Sequence, residues 1–242
     1  MKTFVAILIL SNVVFARVAL AACEEVTFED ASFAVCEADP ATDDIRLFLK
    51  DSADETLGTF DALETHVTAM GKTLTFAMNA GMYHPDRRPV GLYIEDGETL
   101  SQIVTREGPG NFGLLPNGVL CLGQNSANII ESRTFDRTKP ACTYASQSGP
   151  MLVIDGALHH RFLPDSTSRF RRNGVGVTDG GRLISVVSNG RVNFHRFARF
   201  FRDVLKTPNA LFFDGKVSRL FAPELGRDDI GFPVGPMIGV IE

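Results

Sequence analysis

The fold is read outward from Val90-Gly91-Leu92-Tyr93-Ile94-Glu95-Asp96-Gly97-Glu98-Thr99-Leu100-Ser101-Gln102-Ile103-Val104. Apolar residues of strand type run up to Asp96-Gly97 and resume beyond it. An Asp-Gly pair supplies the two positive-φ positions of a two-residue hairpin turn, so this segment predicts two antiparallel strands. The pattern recurs at Val175-Gly176-Val177, a turn at Asp179-Gly180-Gly181, and Leu183 to Val187. Further strand-type runs are Ile45 to Leu49, Leu74 to Met78, Gly118 to Leu122, Met151 to Ile154, Ala210 to Phe213 and Met237 to Ile241. Two helices stand against this background. Phe60 to Met70 sets Phe60, Leu63, Val67 and Met70 on one face, with Gly71 positioned to end it. Phe194 to Lys206 carries Phe194, Phe197, Ala198, Phe201 and Leu205 at helical spacing, opened by Asn193 and stopped before Pro208. Strands and helices segregate rather than alternate. This predicts an α+β fold, a single domain with a twisted mixed β-sheet core and a few flanking helices, not a doubly wound one.

The chain has 242 residues, 44% hydrophobic and 22% charged, which excludes disorder, collagen and coiled coil. Asp+Glu 29 against Lys+Arg 24 argues against nucleic acid or an anionic membrane as a general partner. It leaves room for a small basic pocket that takes an anionic ligand. Residues 1–22 read as a signal peptide: Lys2, the apolar run Phe4 to Leu10, and an A-x-A site at Ala19-Leu20-Ala21. Ser11, Asn12 and Arg17 interrupt a stretch already shorter than the roughly 20 apolar residues of a membrane span, so the mature chain has no transmembrane segment. The expected location is periplasmic or secreted. Leu20-Ala21-Ala22-Cys23 also fits a lipoprotein site, which would anchor the chain through Cys23.

Removing residues 1–22 takes away two basic residues and no acid, moving the net charge from −5 to −7 (22 basic against 29 acidic). Residues 23–242 read as one domain with a core of its own. The four cysteines, Cys23, Cys36, Cys121 and Cys142, allow three pairings, and pairing between sequence neighbours is preferred. No two of them have the short spacing of a zinc site, so no metal and no cofactor is expected.

Polar-and-glycine clusters sit where apolar runs stop: Asn79-Ala80-Gly81-Met82-Tyr83-His84, Gln147-Ser148-Gly149-Pro150, Arg171-Arg172-Asn173-Gly174 and Asp214-Gly215. Strand ends of this kind present catalytic groups from a rigid scaffold, although each cluster alone also reads as an ordinary turn. No G-x-x-x-x-G-K-[ST], H-E-x-x-H or G-x-S-x-G motif is present, which removes the commonest nucleoside-triphosphatase, metalloprotease and hydrolase-elbow readings.

Six strings resemble the phosphodiester glycosidase family. They are Phe76 to Tyr83, Pro109 to Gly118, Gln147 to Leu152, Arg172 to Val177, Ser188 to Phe194 and Leu211 to Gly215. They occur in the family's order and span nearly the whole mature chain, closest to its short secreted bacterial members. The family's mammalian uncovering enzyme removes N-acetylglucosamine from a phosphodiester. The resemblance therefore implies an exported hydrolase that cleaves an N-acetylglucosamine-like sugar from a phosphodiester glycoside of envelope or extracellular glycans. The chain departs from the family at two places. Asn79-Ala80-Gly81-Met82 stands where enzyme-like members read N-G-G-F/Y, and Asp214-Gly215-Lys216-Val217-Ser218 stands for D-G-G-G-S. A non-catalytic envelope module that binds phosphorylated glycans is the alternative these departures raise.

A phosphate leaving group is already a stable anion, so breaking its bond to sugar needs cationic or N–H donors more than an acid. Arg172, whose fork of donors matches phosphate oxygens, is assigned to catalysis together with Asp214 as the carboxylate and Asn79 as a neutral donor. Gly81, His84, Asn111, Gln147, Ser148, Asn173, Gly215 and Ser218 are assigned to substrate binding. Glu107, Asp165 and Glu224 are the alternative carboxylates. A glycosidase for phosphate-free glycans would need two carboxylates across one cleft.

Overall fold

The computed structural model describes residues 21–242. The signal-peptide reading of residues 1–22 therefore lies almost entirely outside the described residues. Ala21 is buried and Ala22 opens the first strand.

The α+β class holds, with strands in three sheets. One mixed sheet was the expectation, but every described strand pair is antiparallel. The reason is local. Tight turns join many of the successive strands, and a two-residue turn can only reverse the chain. At the hairpin quoted above, Asp96 and Gly97 both take positive φ, 49° and 81°. Its strands are Tyr93–Glu95 and Glu98–Ser101, shorter than the apolar run, because Gln102 to Thr105 leave the sheet.

The largest sheet has seven strands in the spatial order Ala22–Phe28, Ala31–Ala38, Leu183–Ser188, Asn173–Val177, Asn209–Asp214, Met151–Ile154 and Ala157–Leu158. The second runs Arg227–Asp228, Leu220–Ala222, Leu74–Asn79, Met237–Ile241 and Asp44–Phe48. The third runs Glu98–Ser101, Tyr93–Glu95, Tyr144–Ser148, Gly118–Gly123 and Ser126–Glu131. Residues from all three sheets, Leu211, Phe213, Met78, Ile238, Leu120 and Tyr93 among them, form one buried cluster. The sheets therefore share a core, and their strand ends are brought together.

Helices cover the outer faces. Phe60–Ala69 is capped by the Thr59 side chain, which accepts from the Ala62 N–H, and its Leu63 and Val67 pack with Phe221 and Met237 of the second sheet. Phe194–Arg199 is capped by Asn193, as its sequence predicts. Its last part differs from the expected α-helix, because Phe200–Val204 widens into a π-helical turn. That widening brings Phe200 inward beside Phe197 and Phe201, where its ring stacks on Phe33 at 4.0 Å. Gly176 lets the helix approach the seven-stranded sheet, since a Cβ there would stand 2.8 Å from the Phe201 ring.

Cys23 bonds Cys36 across the first hairpin, and Cys121 bonds Cys142. Both are the sequence-neighbour pairings. Cys23, the residue on which the lipoprotein reading turns, is thus one of the bridged cysteines. Among the described residues no helix is long and apolar enough to cross a membrane.

Glu95, at the end of its strand, is held by burial at a pKa of about 7. Because the folded-state value is raised, the group's stabilising contribution is complete below the ordinary carboxylate value and is lost as pH climbs through 7. Glu95→Gln should melt close to wild type at pH 4 and above it at pH 8. With allowance for partial exposure the gain is about 1–2 kcal/mol, and thermal melts across pH measure it.

Candidate active site

Three strand ends meet at one point. Asn79 closes a strand of the second sheet, Asn173 opens the central strand of the first, and Asp214 closes its neighbour. Asn173 is the hub. Its Nδ2 donates to the Asn79 carbonyl at 2.6 Å and to Asn79 Oδ1 at 3.2 Å, and its Oδ1 accepts from the Asp214 N–H at 2.9 Å. Asn79 Oδ1 also accepts from the Arg219 N–H at 3.0 Å. The pairing of these strands skips a residue, since Asn173 faces Asp214 but Gly174 faces Phe212. This bulge leaves Phe213 without a register partner and takes Asp214 out of the regular alternation.

Asp214 sits at the start of a tight turn. Its Oδ1 accepts from the N–H groups of Gly215 at 2.5 Å and Lys216 at 2.8 Å. Burial nevertheless pushes its pKa up, with those N–H groups pulling the other way. Neither Lys216 nor Val217 takes a positive φ, so the turn makes no demand for glycine at these two positions. Ser218 donates to the Asp214 carbonyl at 2.9 Å and has the Arg171 carbonyl at 3.1 Å.

Arg172 is fully buried, with 1% of its surface exposed. Its Nε donates to the Val192 carbonyl and its Nη2 to the Ser168 carbonyl. The guanidinium lies 3.6 Å above the centre of the Phe194 ring, with Phe170 and Phe212 also around it. No carboxylate pairs with it among the described residues. Burial lowers its pKa to about 10, which leaves it charged at neutral pH. Nη1 has no hydrogen-bond partner and stands behind Gly215, where an added Cβ would come within 3.4 Å of it. Asn79 Nδ2 is likewise buried and unpartnered. Two orphaned buried donors are costly for folding and suit an anionic or oxygen-rich ligand.

A cleft of about 460 Å³ opens here, lined by Asp214, Gly215, Lys216, Val217, Tyr83, Phe170, Asn111 and neighbours. Asp214 is the one carboxylate among its lining residues. The Tyr83 hydroxyl is shifted up by burial and by the charge of Asp214. Gly81 holds a positive φ of 154° in the loop leading away from Asn79, and a Cβ there would lie 2.9 Å from Ser146 Oγ.

The structure thus gathers Asn79, Arg172, Asn173, Asp214, Gly215 and Ser218, with Asn111 on the rim of the cleft. Gln147, Ser148 and His84 stand apart. Gln147 Oε1 accepts from the N–H groups of Leu92 and Val104, and its Nε2 donates to the Val104 carbonyl and Ser132 Oγ. Ser148 donates to the Phe213 carbonyl. The polar atoms of both are spent inside the protein, where they hold loops and strands in register. His84 is exposed on a turn. Glu224 accepts from the Cys23 N–H, away from the cleft. Tyr83 and Phe170, which line the cleft, were not singled out from sequence, since nothing marks an aromatic in a loop as cleft-facing. Among the described residues no group of three or more His, Cys, Asp or Glu side chains gathers as metal ligands would.

The sequence model of the phosphodiester glycosidase family matches residues 72–241. The chain belongs to the phosphodiester glycosidase family. Every residue of the cluster just described falls within that match. Uncharacterized protein YigE of Escherichia coli is 31% identical over 182 residues, 75% of this chain and 71% of its own. The fold resembles the pro-peptide-inhibited catalytic domain of zebrafish N-acetylglucosamine-1-phosphodiester alpha-N-acetylglucosaminidase. The TM-score is 0.59 at 14% identity, over 91% of this chain and 81% of that one. A putative exported protein of Burkholderia pseudomallei aligns with a TM-score of 0.55 at 10% identity, over 87% of this chain and 74% of its own. The phosphodiester glycosidase fold is thus shared at low identity, and membership indicates a glycosidase-type hydrolase.

Proposed function

We propose that the protein is an exported hydrolase that cleaves an N-acetylglucosamine-like sugar from a phosphodiester glycoside of envelope or extracellular glycans. The observation that carries this reading is Arg172: a buried guanidinium with no carboxylate partner and an unpartnered Nη1 that stands behind Gly215, the residue next to Asp214. Once the Gly215 turn moves aside, a phosphodiester oxygen satisfies Nη1, and Asn79 Nδ2 offers a second donor to the same anion or to a sugar oxygen. Asp214, whose carboxylate is held in place by the N–H groups of its turn, is the group that takes a proton from water. The water oxygen bonds the anomeric carbon, the bond from that carbon to the phosphate oxygen breaks, and its electron pair leaves with the phosphate monoester. The water proton passes to Asp214 and on to solvent.

A single carboxylate is sufficient for this chemistry because the leaving group needs no protonation, whereas a phosphate-free glycosidase needs a second one. Export is supported by the two disulfides and by the exported relative. A periplasmic or secreted location follows from that reading.

Hydrolysis of an N-acetylglucosamine phosphodiester panel in ¹⁸O-water tests the proposal. The label is expected in the released sugar. Label in the phosphate would mean P–O cleavage and a different enzyme class. Lys216 and Val217, whose side chains reach into the cleft, favour a second reading, a glycan-binding module. Calorimetry in which intact phosphodiester binds without any product would select it.

A further inference from the structure

Phe170 is an apolar ring left in the open. It is 45% exposed and lines the cleft that holds Asp214 and Asn111. A single exposed apolar side chain is ordinary. Phe170 is set apart by how firmly it is held. Its N–H donates to the Val192 carbonyl at 3.1 Å, and its carbonyl accepts from the Val192 N–H at 2.9 Å. Val192 is buried, so this isolated bridge anchors the Phe170 backbone to the interior. The same Val192 carbonyl accepts from Arg172 Nε at 2.9 Å. Phe170 and the buried guanidinium thus hang from one acceptor, and the guanidinium lies 5.6 Å from the centre of the Phe170 ring. A second aromatic of the cleft is fixed as well. A Cβ on Gly235 would stand 2.6 Å from the Tyr83 Cβ, and the Arg87 guanidinium lies 5.3 Å from the centre of the Tyr83 ring.

Rigid flat rings beside polar side chains match a ligand whose faces are apolar and whose rim is polar. A pyranose is such a body, with C–H bonds on its faces and hydroxyl or acetamido groups around its edge. A hydrocarbon chain would instead desolvate Asp214 and Asn111 without pairing them. We propose that Phe170 is the residue that selects the sugar, a platform on which one face of a closed pyranose ring rests. This rests on the phosphodiester reading of the same cleft and deepens it. A ring joined to the phosphate on Arg172 has to lie within a few bonds of the guanidinium, which is where Phe170 stands. The sugar takes that place rather than the aglycone, because Asp214, in the same cleft, has to deliver water to the anomeric carbon.

The test is binding, not turnover. N-acetylglucosamine 1-phosphate, glycerol 3-phosphate and benzyl phosphate are titrated calorimetrically into the full mature chain. The wild type is expected to bind the sugar phosphate more tightly than glycerol 3-phosphate, which has hydroxyls but no ring. Phe170→Leu, apolar but without a flat face, should weaken the sugar phosphate by about 3- to 10-fold and leave glycerol 3-phosphate unchanged. Phe170→Tyr should restore the sugar preference. The bridge to Val192 uses only backbone atoms, so these variants keep the fold, which a thermal melt checks. Equal affinities for the sugar and glycerol phosphates in wild type, or a sugar preference undiminished in Phe170→Leu, overturns the proposal. A Phe170-dependent preference for benzyl phosphate over the sugar phosphate assigns the ring to the aglycone and also overturns it. A ring-dependent sugar preference without hydrolysis of any phosphodiester supports the platform while defeating the hydrolase reading alone. Hydrolysis with a sugar preference indifferent to Phe170 does the reverse.

Discussion

Arg172→Met is expected to lower kcat/KM on a glycosyl phosphodiester by about 10²–10³-fold, the usual consequence of removing one preorganised donor from a developing anion. Steady-state kinetics reads that loss, and a thermal melt shows that the fold survives. Methionine keeps an apolar body of similar length among Phe194, Phe170 and Phe212. The two backbone carbonyls it leaves unpaired cost about 1–3 kcal/mol, offset in part by removing a buried charge that has no counter-ion. Arg172→Lys should rescue little, because an ammonium cannot keep the Val192 and Ser168 hydrogen bonds and also present a donor toward Gly215. Undiminished turnover in a folded Arg172→Met protein would remove the guanidinium from the mechanism.

The second large effect is at Asp214. Asp214→Asn should reduce kcat by about 10²–10⁴-fold, the range for loss of a general base. Asparagine retains Oδ1 as acceptor for the Gly215 and Lys216 N–H groups, so the turn persists and the loss is chemical. The pH profile separates this role from a structural one. Burial raises the pKa of Asp214, and the base works only when ionised. In wild type, kcat/KM should therefore fall on acidification at a pH above the ordinary carboxylate range. Asp214→Asn should lack that limb and show a flat residual rate. An acidic limb preserved in the variant would assign the titration, and the base, to another group.

Much of the architecture can be read from local chemistry. Asp96-Gly97 announces its hairpin, Asn193 its helix cap and Gly71 its helix end, because each is a response of the backbone to one or two residues. What escapes is set by partners distant in sequence. The hairpin of Ala22–Phe28 and Ala31–Ala38 carries acids on its outward positions and turns at Glu29 with a positive φ of 55°, so no strong turn signal marks it. Ser132–Thr138 is too short to show helical periodicity and depends on the Glu131 side chain as its cap. The division into three sheets follows from contacts between strands more than 100 residues apart, such as Leu74–Asn79 with Met237–Ile241.

The same distinction runs through the site. Asn79, Arg172, Asn173 and Asp214 can be marked from sequence as polar residues at the ends of apolar runs, and the structure gathers them. Gln147 carries the same mark and serves another purpose, because Gly91 leaves just enough room for its amide to reach the Leu92 and Val104 backbone. Sequence position shows that a polar side chain stands at a strand end. Whether its hydrogen bonds are already spent is decided by loops that arrive from elsewhere.

The Asn79–Asn173–Asp214 chain of hydrogen bonds is also a rivet between two sheets that touch no common strand. Occupancy of the cleft and cohesion of the two sheets are therefore thermodynamically linked. In the proposed reading an anion seated on Asn79 and Arg172 would brace both strand ends at once, and fraying of either one would scatter the donors before the rest of the molecule opens. Drift in this rivet during evolution would thus alter catalysis and durability together, which ties the freedom to acquire new substrates to the surrounding clefts rather than to the centre itself.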